Sequence, residues 1–398
     1  MAKALLILSG GRAMPNMLTV IHEKPDLIVA LVSQDEVDRL QQLENAITAL
    51  FRDEDRKPEL NTSYIVNAFN LYDIQEKCWQ VVKDHPDYDW TFNITAATKI
   101  MSIGAYEIAK ELADQGRSVR CWYLNTSGTH VVSLIGEPRD SSLFHIEIGQ
   151  YGAVYNCRIS PGILEDERQY CQDHWVPFSR FLVQNPQYMD LLKDLVDHKI
   201  NPTPSKFSKG AGEKKHSIPV TNDMYTLLEE AYKAGLLEYL QKEGDKLVFK
   251  LSYTQFNFLN GPWLEAYVWD EARKLSLFSD CQWNQRIIDE NKLDDKNSKN
   301  ELDVAMIYKA QLIIAECKTG DKESTKTETL YKIDSVAGSL GGKFVSRILV
   351  SSQSIPNGYE DFKSKAHDLR IVLVNRKDLS RIGEILEKQA KRPDYPRI

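Results

Sequence analysis

Apolar runs alternate with amphipathic stretches over the first 150 residues of the chain. The runs ALLILSGG and DLIVALVSQ are continuous, as expected for parallel strands that are buried on both faces. Further strands are predicted in SYIVNAFN, DWTFNIT and VRCWYLN, with helices between them. One of these helices carries an apolar stripe from Met101 to Leu112 and stops at Gly116. The pattern predicts a doubly wound α/β domain in residues 1–150.

A similar alternation returns after residue 220. Helices are predicted in NDMYTLLEEAYKAGLLEYLQKEGD, GPWLEAYVWDEARKL and TETLYKIDSVAGSLGG, and strands in LVFKLSYTQF, CQWNQRII, LDVAMIYKA, QLIIAECKT, VSRILVSS and LRIVLVNR. Between the two parts lie a helical segment that ends in prolines and the basic stretch SKFSKGAGEKKHSIP, which is typical of an exposed linker. We therefore expect an α/β domain at 1–150, a connector at 151–219 and a second α/β domain at 220–398.

Length and composition agree with this division. The chain has 398 residues, and a single hydrophobic core stops growing at roughly 250–300 residues. No apolar run approaches the ~20 residues needed to span a bilayer, and the N-terminal run enters a glycine turn without a cleavage site, so we expect a cytoplasmic protein. Six scattered cysteines without a CxxC pair indicate neither a zinc cluster nor a disulfide framework. The net charge of −7 argues against a generally basic protein that coats nucleic acid, but a nuclease needs only local positive charge.

Two acids and a lysine interrupt the apolar stretch ELDVAMIYKAQLIIAECKTG. If its two halves are antiparallel strands joined by a turn near Lys309, Glu316 and Lys318 share one face, because strand side chains repeat every two residues. Asp303 then reaches the same end of the hairpin as Glu316. Cys317 points to the opposite face and is expected in the core. The pattern predicts that two carboxylates and an ammonium group converge.

Neighbouring carboxylates repel each other unless a cation lies between them, and oxygen ligands suit Mg²⁺ or Mn²⁺. The lysine can orient or deprotonate an attacking water, or stabilise charge on a phosphate in the transition state. ELDV and AECKTG resemble the PD-(D/E)XK signature of restriction-endonuclease-like nucleases, although Leu302 replaces the usual proline. The resemblance implies a catalytic set of Glu265, Asp303, Glu316 and Lys318, in which the three carboxylates hold the metal.

A Glu-x-Lys pair on a strand is also common as an exposed cross-strand pair, so Glu316 and Lys318 alone leave this alternative open. The hairpin spacing of Asp303 and the upstream helix GPWLEAYVWD, whose Glu265 faces the metal by resemblance, favour a nuclease. Lys332, on the predicted helix after the hairpin, either touches substrate or is a solvated surface lysine.

Two loops of the first domain are candidates for binding a phosphate diester. LLILSGGRAMPN runs from a strand through a glycine turn into a helix, and NITAATK joins a strand to a helix that starts at Lys99. Small residues, hydroxyls, open helix N–H groups and a lysine suit an anionic ligand. Parallel strands would place both loops at the carboxyl edge of the sheet, where ligands bind in open α/β folds. A tight turn and threonines that cap a helix explain the same residues without a ligand.

NITAATKIM is similar to the threonine-lysine motif of CARF domains, the Rossmann-like sensors of cyclic oligoadenylate in type III CRISPR systems. LSGGRAMPN occupies the place of their first ligand loop, and Ala96 and Ala97 replace the usual glycine pair. The resemblance implies a ligand-binding set of Ser9, Gly10, Gly11, Arg12, Thr95, Thr98 and Lys99. A CARF domain followed by a PD-(D/E)XK domain resembles the CRISPR ancillary nucleases that cyclic tetra-adenylate activates.

This family implies an N-terminal Rossmann-like CARF domain and a C-terminal restriction-endonuclease-like α/β domain. It also implies a homodimer in which the ring-shaped messenger lies across the two-fold axis and activates cleavage of DNA, RNA or both in antiviral defence. Three alternatives stay open: a messenger-binding module whose C-terminal domain does not cut, a ring nuclease that degrades its own messenger, and a nuclease that needs no messenger.

Overall fold

Two compact units make up the structure, which is a computed structural model. Most of the first unit is Met1–Arg158, and the second comprises Ile159–Ile288 and Lys296–Ile398. The structure describes residues 2–10, 13–52, 54–125, 130–138, 144–200, 215–289, 300–320, 325–355 and 358–395. No helix in these described ranges is long and apolar enough to cross a membrane.

A six-stranded sheet forms the centre of the first unit. Its strands are β1 (Ala2–Ser9), β2 (Leu27–Ser33), β3 (Glu59–Val66), β4 (Tyr88–Asn93), β5 (Val119–Asn125) and β6 (His130–Ile135). Their order is β3-β2-β1-β4-β5-β6, and all neighbours are parallel except β5 and β6. The helices are α1 (Met14–Glu23), α2 (Leu40–Leu50), α3 (Leu71–Asp84), α4 (Lys99–Asp114) and α5 (Ile148–Val154), with a 3-10 turn at Gln34–Arg39.

The continuous apolar runs become central strands because both faces of this sheet are covered. Along β1, Leu6 and Leu8 pack into one core and Leu5 and Ile7 into the other. Every residue of β2 is buried. The α/β fold predicted for this part is confirmed, and the five predicted strands are present, whereas α2 and β6 are not predicted from the apolar pattern.

The second unit contains a mixed six-stranded sheet and a small three-stranded sheet. The remaining strands are β7 (Cys157–Pro161), β8 (Lys215–Pro219), β9 (Tyr239–Glu243), β10 (Lys246–Lys250), β11 (Asp280–Asp289), β12 (Asn300–Tyr308), β13 (Gln311–Lys318), β14 (Ser346–Ser351) and β15 (Ile371–Val374). The larger sheet has the order β15-β14-β13-β12-β11-β7, and the smaller has the order β8-β10-β9. Strand β13 is antiparallel to β12 and parallel to β14, so the hairpin of β12 and β13 lies at the centre of the sheet.

Helices surround these sheets, and most of them contribute to a large apolar core. They are α6 (Glu165–Tyr170), α7 (Val176–Gln184), α8 (Gln187–Asp194), α9 (Asn222–Lys233), α10 (Tyr253–Leu259), α11 (Pro262–Lys274), α12 (Thr327–Ser339), α13 (Glu360–Asp368) and α14 (Ile382–Lys391). Short π-helical turns lie at Cys171–Trp175 and Leu195–Lys199, and 3-10 turns at Gly342–Phe344 and Arg376–Arg381. Helix α11 packs against β12 and β13, which positions it beside the predicted catalytic hairpin.

Glycine and capping signals correct two of the predicted elements. The helix predicted through residue 245 ends at Lys233, because Gly235 has φ of +71° and Gly244, with φ of +62°, turns the chain between β9 and β10. The strand predicted through residue 256 ends at Lys250, because Ser252 and Gln255 form a capping box that starts α10.

The predicted basic linker lies mostly outside the described residues, at 205–214. Its last residues, Lys215–Pro219, form strand β8, which pairs with β10. That part of the linker prediction is wrong: alternate residues of β8 are buried against the three-stranded sheet's core.

Candidate functional site

The hairpin of β12 and β13 places the predicted acids opposite each other. Its two-residue turn is Lys309–Ala310, and both residues have positive φ, 50° and 59°. These values are typical of a type I′ turn, whose twist matches that of paired strands. Val304 pairs with Ala315, so the adjacent residues Asp303 and Glu316 face each other. The predicted hairpin is confirmed.

Lys318 joins the two carboxylates. Its Nζ lies 2.7 Å from Glu316 Oε1 and 3.9 Å from Asp303 Oδ2. Asp303 Oδ2 also accepts a hydrogen bond of 2.7 Å from the backbone N–H of Cys317. The Glu316 and Asp303 side chains are only 7% and 9% exposed, and Cys317 belongs to the apolar core. The structure therefore brings these two acids and the lysine into one buried cluster, which we call the DEK cluster.

Burial and neighbouring charges shift the pKa values of Asp303 and Lys318. Burial is the largest cause that raises the pKa of Asp303 well above its ordinary value, and the charges of Glu265 and Glu316 raise it further. Burial lowers the pKa of Lys318, but Glu316 and Asp303 together outweigh burial, and the pKa is raised overall. Lys318 is therefore an ammonium group at neutral pH. In this state it suits the stabilisation of negative charge and not the removal of a proton from water.

Glu265 lies in the first turn of α11, which Gly261 and Pro262 open. Its Oε2 accepts a hydrogen bond of 3.0 Å from Trp283 Nε1 on β11. Burial raises the pKa of Glu265 to about 7; the bond from Trp283 lowers it, and the charge of Glu301 raises it. Trp283 is not among the residues predicted from the sequence, although a tryptophan within the polar strand CQWNQRII is a signal that could have found it.

Lys332 on α12 also contacts the DEK cluster. Its Nζ donates a hydrogen bond of 2.7 Å to Glu316 Oε1, the same oxygen that binds Lys318. The Lys332 side chain is 43% exposed and so lies at the surface, yet its ammonium group reaches a buried carboxylate; a contact with substrate stays a prediction. One oxygen of Glu316 thus contacts the ammonium groups of both Lys318 and Lys332.

The DEK cluster has the chemistry of a cation site with two carboxylate ligands. Its acids are hard oxygen donors, and the Lys318 ammonium already lies between them, as a cation would. Across the described residues, no three His, Cys, Asp or Glu side chains come close enough together to hold a metal ion. The predicted metal set of Glu265, Asp303 and Glu316 therefore does not come together as three ligands: Asp303 and Glu316 share Lys318, whereas Glu265 acts on Asp303 through its charge, and metal binding stays a prediction.

The two predicted ligand loops of the first unit lie side by side. Strands β1 and β4 are parallel neighbours, and Ile7 pairs with Asn93, so both loops leave the same edge of the sheet. A Cβ atom on Gly10 would lie 1.8 Å from the carbonyl oxygen of Ala96, which shows that the loop backbones touch. Ser9 is half-buried at the end of β1, whereas Gly11 and Arg12 lie outside the described residues.

Asn93, which is not among the residues predicted from the sequence, connects the elements at this edge of the sheet through its hydrogen bonds. Its Nδ2 donates to Pro15 O at 2.9 Å and to Thr19 Oγ1 at 2.8 Å, both on α1. Its Oδ1 accepts from the backbone N–H and the hydroxyl of Thr95 at 3.1 and 2.6 Å. The Thr95 oxygen also accepts from Leu124 N–H at 2.8 Å. Thr95 therefore holds the loop in place through internal hydrogen bonds, and the polar residue at the end of a buried strand is the signal for Asn93.

Thr98 and Lys99 start helix α4. The Thr98 hydroxyl accepts from Met101 N–H at 3.2 Å and donates to Ala68 O at 2.9 Å, so it caps the helix as one of the sequence alternatives proposes. Lys99 is exposed, and within the described part of the chain it forms no ion pair. Its ammonium group is available at the positive end of α4, beside the loop backbones.

Two family models match the chain. The Card1 CARF domain matches residues 5–148, and the Card1-like endonuclease domain matches residues 253–392. The first span contains the two loops, and the second contains Glu265 and the DEK cluster. No curated protein matches the chain in sequence.

Solved structures share the fold over almost the whole chain. Can2 from Sulfobacillus thermosulfidooxidans in complex with cyclic tetra-adenylate is 20% identical with a TM-score of 0.63, and the match covers 98% of this chain and 99% of Can2. Protein VC1899 from Vibrio cholerae is 17% identical with a TM-score of 0.69, and 99% of each chain is covered. A type III CRISPR defence DNA nuclease activated by cyclic oligoadenylate is 14% identical with a TM-score of 0.54; all of this chain but 53% of that nuclease is covered. The chain belongs to the family that joins a Card1 CARF domain to a Card1-like endonuclease domain.

Proposed function

We propose that this protein is a metal-dependent endonuclease that cyclic tetra-adenylate activates in type III CRISPR defence. The observation that carries the proposal is the DEK cluster, in which one ammonium group lies between two buried carboxylates. The Card1-like endonuclease match surrounds this cluster, and the Card1 CARF match surrounds the two loops. The ligand in the Can2 structure supports the choice of messenger.

Each residue of the nuclease site has a separate task. Lys318 donates hydrogen bonds to the phosphate oxygen that gains charge as the phosphodiester breaks. The backbone N–H of Cys317 fixes the orientation of Asp303, and Trp283 fixes that of Glu265. A bound Mg²⁺ or Mn²⁺, held by Asp303 and Glu316 with Glu265 beside them, would lower the pKa of the attacking water and neutralise phosphate charge.

The messenger site uses shape and one exposed charge. Gly10 keeps the first loop against Ala96, and Lys99 offers an ammonium group to a phosphate of the ring. Ser9, Gly11, Arg12, Thr95 and Thr98 complete the proposed set. We propose that two copies of the chain share one ring across a two-fold axis, because a symmetric ligand then meets the same loops in each half.

Cleavage assays test the proposal. Supercoiled plasmid and single-stranded RNA are incubated with Mn²⁺, with and without cyclic tetra-adenylate, using the native protein, Glu316→Gln and the control Glu384→Gln. Glu384 is an exposed glutamate that pairs with Arg381. Its variant therefore removes a charge at the surface and outside the DEK cluster. We expect cleavage that needs both the messenger and Glu316, and the polymer that is cut identifies the substrate.

Other results decide among the alternatives. Equal cleavage with and without messenger supports a nuclease that needs no messenger, and conversion of the ring to linear product supports a ring nuclease. Messenger binding without cleavage of either polymer, in the native protein and both variants alike, supports a messenger-binding module.

A further inference from the structure

Glu316 Oε1 accepts hydrogen bonds from two lysines that differ in how firmly they are held. Lys318 Nζ also lies 3.2 Å from the Cys317 carbonyl oxygen and 3.9 Å from Asp303, and its side chain is 21% exposed. Lys332 Nζ contacts Glu316 at 2.7 Å, and its side chain is 43% exposed. Among the described residues, Glu316 is its one recorded hydrogen-bond or ion-pair partner. Lys332 is therefore easier to displace from Glu316 than Lys318 is.

A divalent cation at Glu316 would meet both ammonium groups at the same carboxylate. The cation and the two ammonium groups, all within contact distance of one carboxylate, would repel one another strongly. This repulsion is greatest where solvent is excluded, as it is around Glu316, whose side chain is 7% exposed. The group with the fewest contacts and the most solvent access can relieve this repulsion at the lowest cost. That group is the ammonium of Lys332, whose long side chain can turn outward from α12.

We infer that Lys332 is an exchangeable cation of the nuclease site: it occupies Glu316 before the metal binds, and afterwards it contacts a phosphate of the nucleic acid strand. The inference rests on the proposed function and deepens it, because it assigns a second lysine to the site. Lysine is a point-charge phosphate ligand with freely rotating donors, and this suits a group that exchanges one anionic partner for another.

A titration with Mn²⁺ alone tests the first half of the inference. Calorimetry is performed on the native protein, Lys332→Met, Lys332→Arg, Glu316→Gln and the control Lys363→Met. Lys363 also pairs with a glutamate, Glu360 at 2.8 Å, but on α13 and outside the DEK cluster. Removal of the competing ammonium should make Lys332→Met bind Mn²⁺ about two- to fivefold more tightly, as expected for a partly exposed ion pair. Lys332→Arg and Lys363→Met should match the native protein.

Nucleic acid binding and cleavage test the second half. With saturating cyclic tetra-adenylate and Ca²⁺, the affinity of Lys332→Met for an oligonucleotide should fall, and its salt dependence should decrease by about one phosphate contact. With Mn²⁺, its cleavage should be about tenfold slower despite the tighter metal binding. A merely structural lysine would move metal affinity and cleavage in the same direction.

The outcomes separate this inference from the proposed function. Unchanged or weaker Mn²⁺ binding by a folded Lys332→Met overturns the exchange, and so does tighter Mn²⁺ binding with unchanged nucleic acid affinity. If Glu316→Gln binds Mn²⁺ as well as the native protein does, the metal site itself is wrong and the inference falls with it. Should Lys332→Met unfold, Lys332→Gln replaces it with the same expected directions.

Discussion

The DEK cluster concentrates charge on buried side chains, whereas the loops of the CARF domain carry an exposed charge at Lys99. In the DEK cluster, Glu316 is almost inaccessible and binds two ammonium groups. We call the two loops that we propose to bind the messenger, around Gly10 and at Thr95–Lys99, the messenger loops. There the hydroxyls of Thr95 and Thr98 are already hydrogen-bonded within the protein, and Lys99 projects outward from the start of α4. Both sites lie at the ends of central strands, so the difference comes from the side chains and not from their place in the sheet.

This difference determines whether the groups of each site can be changed one at a time. In the DEK cluster, the charge of Glu316 raises the pKa of both Asp303 and Lys318, so loss of Glu316 disturbs both groups. At the messenger loops, backbone shape is fixed by Asn93 and by close contact at Gly10, so shape and charge can be altered separately. Four substitutions test this contrast; the first should change activity most, and the last should change only stability.

Loss of Lys318 should have the largest effect. Lys318→Met removes the donor to the phosphate and leaves two buried carboxylates without the ammonium between them, so messenger-activated cleavage should fall by about a factor of 10² to 10³. Affinity for cyclic tetra-adenylate, measured by calorimetry, should remain that of the native protein. The control is Lys363→Met; a comparable loss in that variant would mean that general surface charge, not the DEK cluster, limits cleavage.

Gly10→Ala should damage the messenger loops through shape alone. The new Cβ would lie 1.8 Å from the Ala96 carbonyl oxygen, so the two loops must separate. We expect a loss of messenger affinity of at least about tenfold, similar to other losses of well-oriented binding geometry. Gly149→Ala is the matched control, because nothing lies within 4 Å of a Cβ at that position. Unchanged affinity in Gly10→Ala would remove this edge of the sheet from the binding site.

Lys99→Met should test the exposed charge without changing shape. One partly solvated contact with a phosphate contributes about 1–1.5 kcal/mol, so messenger affinity should fall roughly tenfold. The thermal unfolding midpoint should not change, because Lys99 is exposed and forms no ion pair with the described residues. Lys110→Met, an exposed lysine farther along the same helix, should retain native affinity. Equal effects of both variants would point to long-range attraction and not to a contact.

Glu265→Gln should give the smallest effect, in stability and its pH dependence. Because the folded state holds the Glu265 pKa at about 7, above its usual 4.5, folding takes up a proton between these values. This contribution to stability is complete below pH 4.5 and is lost as the pH rises through 7. The metal-free variant should therefore unfold roughly 2–4 °C higher than the native protein at pH 8, with a much smaller difference at pH 5. A difference that does not vary with pH, or that also occurs in Glu384→Gln, contradicts this assignment.

Sequence patterns predict the structural features that depend on residues close together in the chain. The apolar runs predict the buried strands, and the spacing of Asp303, Glu316 and Lys318 predicts their convergence, because strand periodicity and one short turn decide both. The contact of Lys332 with Glu316 depends on how α12 packs on the sheet, which no local pattern encodes. The same holds for Asn93, whose partners lie on α1 and in the loop before α4.

The segment that forms β9, which the sequence pattern assigns to a helix, shows a second limit of prediction from sequence. Its apolar residues suit either a helix or a strand, and the positive φ of Gly235 and Gly244 decides the outcome. Glycine within such a pattern is a stronger signal than the periodicity around it.

The two-residue turn at Lys309–Ala310 constrains how this protein and its relatives can diverge in length. In an antiparallel hairpin with a fixed turn, opposite residues keep their partners only when both strands lengthen together. While that turn is retained, the spacing between the aspartate and the glutamate can change only in steps of two residues. An insertion of a single residue within either strand, unless a bulge absorbs it, would point one acid toward the opposite face. Sequence alignments of the family should therefore show the parity of this spacing more strictly than the identity of the apolar residues between.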